Sequence, residues 1–249
     1  MIHRDVTDGV ALLRLEHGKV NALDVETLRE LVTALGEVRA EGARAVVVTG
    51  EGRAFSAGVD LNRVLDGGPA YATELIGALG DGLAALFTHP QPVVAAVNGA
   101  AIAGGCILAC AADRRLAVPS ARIGATELTV GVPFPAAALE VLRHACGERT
   151  EEAVLSGRLF DGGGAVEVGM VHELVEPDQL VEAAVARAAT LGEVPAEVYR
   201  LTKDLLRRPA LARIAASAGG DPEVARIWGS PETAAAIRAS MERTTSRRG

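Results

Sequence analysis

The sequence predicts an α/β fold built around one aliphatic core. Three observations carry that prediction. First, Ala45 to Val48 and Val93 to Val97 are apolar throughout, as strands buried on both faces are. Second, stretches with helical spacing alternate with such runs, for example Leu28, Leu31, Val32 and Leu35. Alternation of this kind implies parallel pairing with helices packed on the sheet. Third, the 249 residues are 49% hydrophobic and 23% charged but only 3% aromatic, which makes the core aliphatic and alanine-rich. A chain of this length buries a large core, and no long linker, repeat or low-complexity stretch divides it.

The elements follow in order. Val10 to Leu15 reads as a strand. Asp24 is placed to cap the next helix, with Glu26 in its first turn. Leu65 to Thr73 contains glycine and is expected to be a loop, and Tyr71 to Phe87 a helix. His89-Pro90-Gln91-Pro92 ends that helix and introduces the central strand Val93 to Val97. Ile102 to Ala112 is apolar nearly all round, so its helix is central. Arg122-Ile123-Gly124 returns as a short strand, with Glu127 just beyond it. After Pro135 the chain turns helical: Ala136 to Cys146, Thr150 to Ser156, Gln179 to Leu191 and Pro195 to Arg207. Val171 to Val175 is a short strand among them, and Pro222 to Arg243 is helical with a break at Gly229-Ser230-Pro231. Gly162-Gly163-Gly164 has no phosphate-loop lysine and reads as a turn.

Composition excludes several function classes. A net charge of −7 and few aromatics argue against a nucleic-acid surface. No segment has membrane-spanning character, and His3, Arg4, Asp5 and Asp8 interrupt any N-terminal signal, so a cytoplasmic location is expected. Cys106, Cys110 and Cys146 make no disulfide framework and read as small buried hydrophobes in a reducing compartment. The five histidines lack paired metal spacing, so no metal site is expected. Ser56 lacks the flanks of a nucleophile elbow.

The chemistry lies in two glycine-bearing segments, Arg53 to Leu61 and Asn98 to Cys106. Each follows an apolar strand and opens toward a helix start, where free backbone N–H groups carry partial positive charge. Two such turns face to face hold a carbonyl oxygen that becomes negative during reaction. Phe55 to Asp60 matches the pattern F-S-A-G-x-D, Asn98 to Cys106 follows N-G-x-x-x-G-G-G-C, and Asn21-Ala22-Leu23-Asp24 forms a further short motif. In this order the motifs resemble the crotonase family, the enoyl-CoA hydratase/isomerase superfamily. The resemblance implies a crotonase-like ββα spiral core over residues 1–190. A helical region at 191–249 belongs to the same structural unit, forming a trimer contact and helping cover the acyl group. It implies a coenzyme A thioester as substrate, no tightly bound cofactor, and a homotrimer or dimer of trimers. The oxyanion donors carried over are the N–H groups of Val59 and Gly104. Substrate or coenzyme A binding is implied for Ala22, Leu23, Arg53, Ala57, Gly58, Asp60, Leu61, Gly105, Ile107 and Val130.

One departure from the family pattern shapes the expected reaction. Family hydratases carry two glutamates; the first position is Ile107 here, while Gly124-Ala125-Thr126-Glu127 keeps the second. Adding water benefits from two groups, whereas moving a double bond needs one that removes a proton and returns it elsewhere. The expectation is therefore an enoyl-CoA isomerase with Glu127 as acid and base. A hydratase with its second acid on another loop and a non-catalytic acyl-CoA-binding protein are the rivals. Glu127 also reads as a helix-start acid, and Ile107 as a core residue. Arg53 and Arg63 read either as partners of coenzyme A phosphates or as solvated surface charges. Lys203 resembles a lysine recurrent in the family's C-terminal helix, with no role assigned by the sequence.

Overall fold

The computed structural model describes residues 1–217 and 221–246; residues 218–220 and 247–249 of the expected helical region lie outside the described residues. The strands are β1 (Ile2–Thr7), β2 (Val10–Leu15), β3 (Ala45–Gly50), β4 (Ala54–Ser56), β5 (Val93–Val97), β6 (Ala100–Ile102), β7 (Arg114–Ala117), β8 (Ile123–Gly124) and β9 (Glu173–Leu174). The first seven helices are α1 (Val25–Ala40), α2 (Leu61–Phe87), α3 (Gly104–Cys110), α4 (Glu127–Val130), α5 (Ala136–Cys146), α6 (Thr150–Leu155) and α7 (Gly162–Glu167). They are followed by α8 (Leu180–Gly192), α9 (Ala196–Ser217), α10 (Asp221–Trp228) and α11 (Pro231–Ser246).

A large sheet runs in the order β1-β2-β3-β5-β7-β9, and a small one in the order β4-β6-β8. Among the described strand pairs of the two sheets, only β1–β2 is antiparallel; Val46 pairs with Val93 and Val94 with Arg114 in parallel register. One pattern recurs three times: a strand of the large sheet, a strand of the small sheet, then a helix. It is β3-β4-α2, then β5-β6-α3, then β7-β8-α4. The expected ββα spiral is this repetition. β3 and β5 are buried over their whole length, which is why their sequences are apolar on both faces.

Several elements differ from expectation. Leu65 to Thr73 is not a loop but part of α2, broken at Gly68, where φ is 59° and ψ −151°. Only glycine adopts that backbone readily, and Pro69 restarts the helix beyond it. Ile102 closes β6, and the helix that follows starts at Gly104. Gly162-Gly163-Gly164 forms the first turn of α7, capped by Asp161, which accepts the Gly164 N–H at 2.8 Å. β1 carries the adjacent charged residues Arg4 and Asp5 and shows no apolar face, as a mostly exposed edge strand can.

The C-terminal helices are fastened to the spiral by buried charge. Asp113 accepts Lys203 Nζ at 2.7 Å and Arg207 Nη2 at 2.6 Å, and its carboxylate also takes the Val93 N–H at 2.8 Å. Arg207 donates to the Phe87 carbonyl and stacks 4.2 Å over the Phe87 ring. Lys203 therefore ties α9 to the mouth of β5, a structural role. Burial pulls its pKa down to about 8 even with Asp113 opposite.

Candidate active site

The two glycine segments meet. Leu23 donates its N–H to Gly58 O at 2.8 Å and accepts the Asp60 N–H at 2.9 Å. In parallel pairing of this kind the residue between, Val59, turns its own N–H to the opposite side. Gly104 is the first residue of α3, so its N–H is among those a helix cannot satisfy internally. Gly58, at φ 89°, brings the first turn against the second. A Cβ there would lie 2.8 Å from Ile102 O, 3.1 Å from the Ala103 methyl and 3.3 Å from Gly104 N. Around Gly104, by contrast, a Cβ would meet protein atoms only at ordinary distances, with Leu23 nearest at 3.5 Å. The protein's own packing does not require glycine at Gly104; the space before it faces the cavity.

The remaining motif residues hold the turns. Asn21 Nδ2 donates to Glu51 O (2.9 Å) and Ala54 O (2.8 Å), while Asn98 takes the Gly50 N–H and donates to Gly52 O. The two asparagines thus staple the turn between β3 and β4 from both sides. Gly99 and Gly105 allow backbone to lie on backbone: a Cβ on Gly99 would overlap Arg53 O, and one on Gly105 would overlap Ser56 O. Ala103 stands where the family pattern has the first of three glycines, and it is held at φ 50°, ψ −125°. For a residue with a Cβ that is a strained conformation.

A cavity of 700 Å³ opens in front of the donors. Of the expected site residues it brings together Ala57, Val59, Leu61, Gly104, Ile107, Glu127 and Val130. Ala22, Leu23, Arg53, Gly58, Asp60 and Gly105 do not line it. Asp60 caps α2, accepting the N–H groups of Asn62 (3.0 Å) and Arg63 (3.2 Å). Gly105 is spent on the contact with Ser56. Arg63 is a half-exposed charge that is also engaged in ion pairs. It bridges Asp24 (2.8 Å) and Glu26 (2.5 and 2.9 Å), lies over the Tyr71 ring, and so locks the turn at Asn21–Asp24 to α2. Arg53 is exposed and takes no part in an ion pair among the described residues.

Glu127 is the first residue of α4 and is 4% exposed. Its Oε2 is buried with no hydrogen-bond partner among the described residues. Burial pushes its pKa up to about 8, against the smaller lowering effect of a hydrogen bond from its own backbone N–H. Ile107, 1% exposed, dries the adjoining wall from α3. Lining residues that sequence reasoning did not reach include Thr126, Leu159, Trp228, Ser240, Met241 and Arg243. Trp228 is fixed by its indole N–H, which donates to Pro133 O at 2.9 Å. The C-terminal residues arrive through helix packing, and no local signal in the sequence marks them. Taken together, the site offers two outward backbone donors, one dry carboxyl and an otherwise largely apolar wall. That arrangement suits transient negative charge on a carbonyl oxygen and proton movement beside it.

A family model for enoyl-CoA hydratase/isomerase matches residues 5–240. A putative enoyl-CoA hydratase of Thermus thermophilus is 39% identical over 192 residues, covering 75% of this chain and 75% of the relative. Human mitochondrial enoyl-CoA delta isomerase 1 is 30% identical over 226 residues, covering 89% of this chain and 75% of the relative. The crystal structure of human mitochondrial delta3-delta2-enoyl-CoA isomerase matches with a TM-score of 0.93 at 26% identity, over 100% of this chain and 99% of that one. An enoyl-CoA isomerase of Mycobacterium tuberculosis matches at 0.83 with 30% identity, over 88% and 96%. The chain belongs to the enoyl-CoA hydratase/isomerase family, the crotonase superfamily.

Proposed function

We propose that this protein is an enoyl-CoA isomerase that shifts a double bond with a single carboxylic acid. One observation carries the reading: among the described residues lining the cavity, Glu127 is the only carboxylic acid. The thioester oxygen would lie between the N–H groups of Val59 and Gly104. For a 3-enoyl-CoA, the Glu127 carboxylate removes a proton from the carbon beside the carbonyl. The double bond moves one position toward the carbonyl through an enolate whose oxygen the two N–H groups hold. Glu127 then returns the proton to the γ carbon, and the reverse direction exchanges the two carbons. A pKa of about 8 supports a carboxyl that both takes and gives up a proton near neutral pH. The apolar wall that includes Ile107 supports proton transfer without water addition.

The hydratase names among the relatives favour a second reading, addition of water to a 2-enoyl-CoA. It requires a second acid from outside the cavity lining. The deciding experiment supplies 3-enoyl- and 2-enoyl-CoA thioesters of several lengths in D2O and follows products by mass and NMR. Double-bond migration with deuterium uptake is expected, falling about 10²–10⁴-fold in Glu127→Gln while thioester binding persists. Its rate constant kcat/KM rises as pH rises through about 8, because the base form is the ionised one. Hydrated product, or full activity in Glu127→Gln, overturns the assignment. Tight binding with no turnover of any thioester makes the protein a binder instead.

A further inference from the structure

α4 is a single turn of four residues, too short to hold its shape by helical hydrogen bonding alone. Thr126, before it, makes no side-chain cap, and Leu128 on its outer side is exposed. The helix is therefore a thin wall between solvent and the cavity, with Glu127 on the inside. The carboxyl is held only by the backbone N–H of its own residue, since Oε2 has no partner among the described residues. The backbone of α4 must supply that orientation.

Two contacts grip that backbone from different parts of the chain. Gly131, the left-handed cap of α4 at φ 88°, carries the Ala236 methyl of α11, which would stand 3.0 Å from a Cβ placed there. Gly157, at φ 59°, receives the Thr129 methyl, which would stand 2.7 Å from a Cβ on that glycine. Inside the turn, Thr129 Oγ1 donates to Thr126 O at 2.7 Å, and the Gly131 and Val132 N–H groups both close on Glu127 O. The inner face of α11 follows helical spacing: Thr233, Ala236, Ile237, Ser240 and Met241. Ala236 meets the glycine behind Glu127, and one turn on Ser240 and Met241 line the cavity. Among the titratable and charged groups on other elements, Cys106 of α3 has its pKa raised in part by the Glu127 charge, and Arg243 of α11 lines the same cavity.

We propose that Ala236 and Gly157 are positioning residues for Glu127, clamping α4 from two sides so that the carboxyl stays dry and aimed into the cavity. The inference rests on the reading of Glu127 as the acid and base. It assigns the C-terminal helix a part in the chemistry through a residue that does not line the cavity. A larger side chain at Ala236, or any Cβ at Gly157, displaces α4 and admits water to the carboxyl. Misplacement by about 1 Å is enough to cost roughly 10²-fold in rate.

The test compares Ala236→Val and Gly157→Ala with Ala236→Ser, which nearly preserves volume, and with Ala235→Val. Ala235 is on the exposed side of the same helix, so its variant controls for the helix cost of valine. Glu127 is titrated directly by infrared difference spectroscopy, using the carboxyl band absent from Glu127→Gln, and kinetics on a 3-enoyl-CoA run in parallel. Expected for Ala236→Val and Gly157→Ala is a carboxyl midpoint lowered by about one pH unit. kcat falls at least about tenfold, with KM changed less than about twofold. Ala236→Ser and Ala235→Val stay at wild type. If one of the two larger variants fails to fold, the other decides, because they act on α4 from different sides. Should wild type turn over no enoyl-CoA, the isomerase reading falls, and the carboxyl titration still decides whether the clamp exists. An unchanged midpoint and unchanged kcat in Ala236→Val and Gly157→Ala overturn the proposal.

Discussion

The two walls of the cavity that carry the proposed oxyanion donors and the proposed acid, the donor wall and the acid wall, are built in opposite ways. The donor wall is three short parallel strands and the start of α3, packed so closely that backbone lies on backbone at Gly99 and Gly105. The acid wall is one turn of helix with a solvent-facing side and a left-handed glycine at its end. The difference teaches what each group needs. A backbone N–H cannot swing, so its aim comes from the rigidity of everything around it. A carboxyl needs the right basicity, which comes from dryness more than from hydrogen bonds. The donor wall should be intolerant of added volume, and the acid wall should respond to proton concentration.

The sharpest way to break the donor wall is Gly105→Ala. Its methyl would overlap the Ser56 carbonyl oxygen, so either β4 or the start of α3 must move. Turnover should fall about 10²-fold or more, as when one oxyanion donor is lost. Stability should fall by about 1–3 kcal/mol. Steady-state kinetics and a thermal melt check both, and wild-type turnover would show that the donors do not depend on this contact.

The acid wall is broken by pH. Below the ordinary glutamate value of 4.5, folded and unfolded chains both hold the Glu127 proton, and the residue adds no pH dependence. Between 4.5 and about 8 the unfolded chain releases it while the folded chain keeps it, so this group makes stability fall as pH rises through that window. Glu127→Gln removes the slope. Relative to wild type it should gain on the order of 3 kcal/mol between pH 5 and pH 8, read from denaturant midpoints at the two pH values. A difference that does not change with pH would mean the carboxyl is wet. The smallest effect sharpens the comparison on the donor side. Ala103 holds φ 50° beside Gly104, and Ala103→Gly should relieve about 1 kcal/mol of strain. Its melting temperature should rise by a few degrees with turnover nearly unchanged.

Much of this could be read from the sequence, for reasons that differ by element. β3 and β5 were legible because burial on both faces leaves an unbroken apolar run. α5 was legible to its ends, Ala136 and Cys146, because Pro135 precedes it and Gly147 stops it. The meeting of the two glycine segments was legible because close backbone approach, as at Gly99 and Gly105, demands glycine at fixed positions in the motif. The loop expected at Leu65 to Thr73 failed because its glycines read as a loop, while the helix is kinked at Gly68 and resumes beyond it to bury Ala72, Leu75 and Ile76. β1 escaped notice because an exposed edge strand has no apolar face to show. The C-terminal lining at Trp228, Ser240 and Met241 was not legible, since only tertiary packing carries those residues to the cavity. The ion pairs of Arg63 were not legible, because Asp24 and Glu26 are far away in sequence and adjacent only in space.

The order of the large sheet also bears on how the molecule comes into being. Its parallel pairs join distant parts of the chain: Val46 with Val93, and Leu116 with Glu173. No hairpin links them, so each pairing waits for a long loop to close against its entropy. Helical bundles of this size reach their contacts locally; this chain must search. Its refolding should therefore belong to the slow, non-local class, on the scale of milliseconds to seconds or longer. The β-branched runs that pair so well once assembled are the segments most exposed to wrong partners meanwhile.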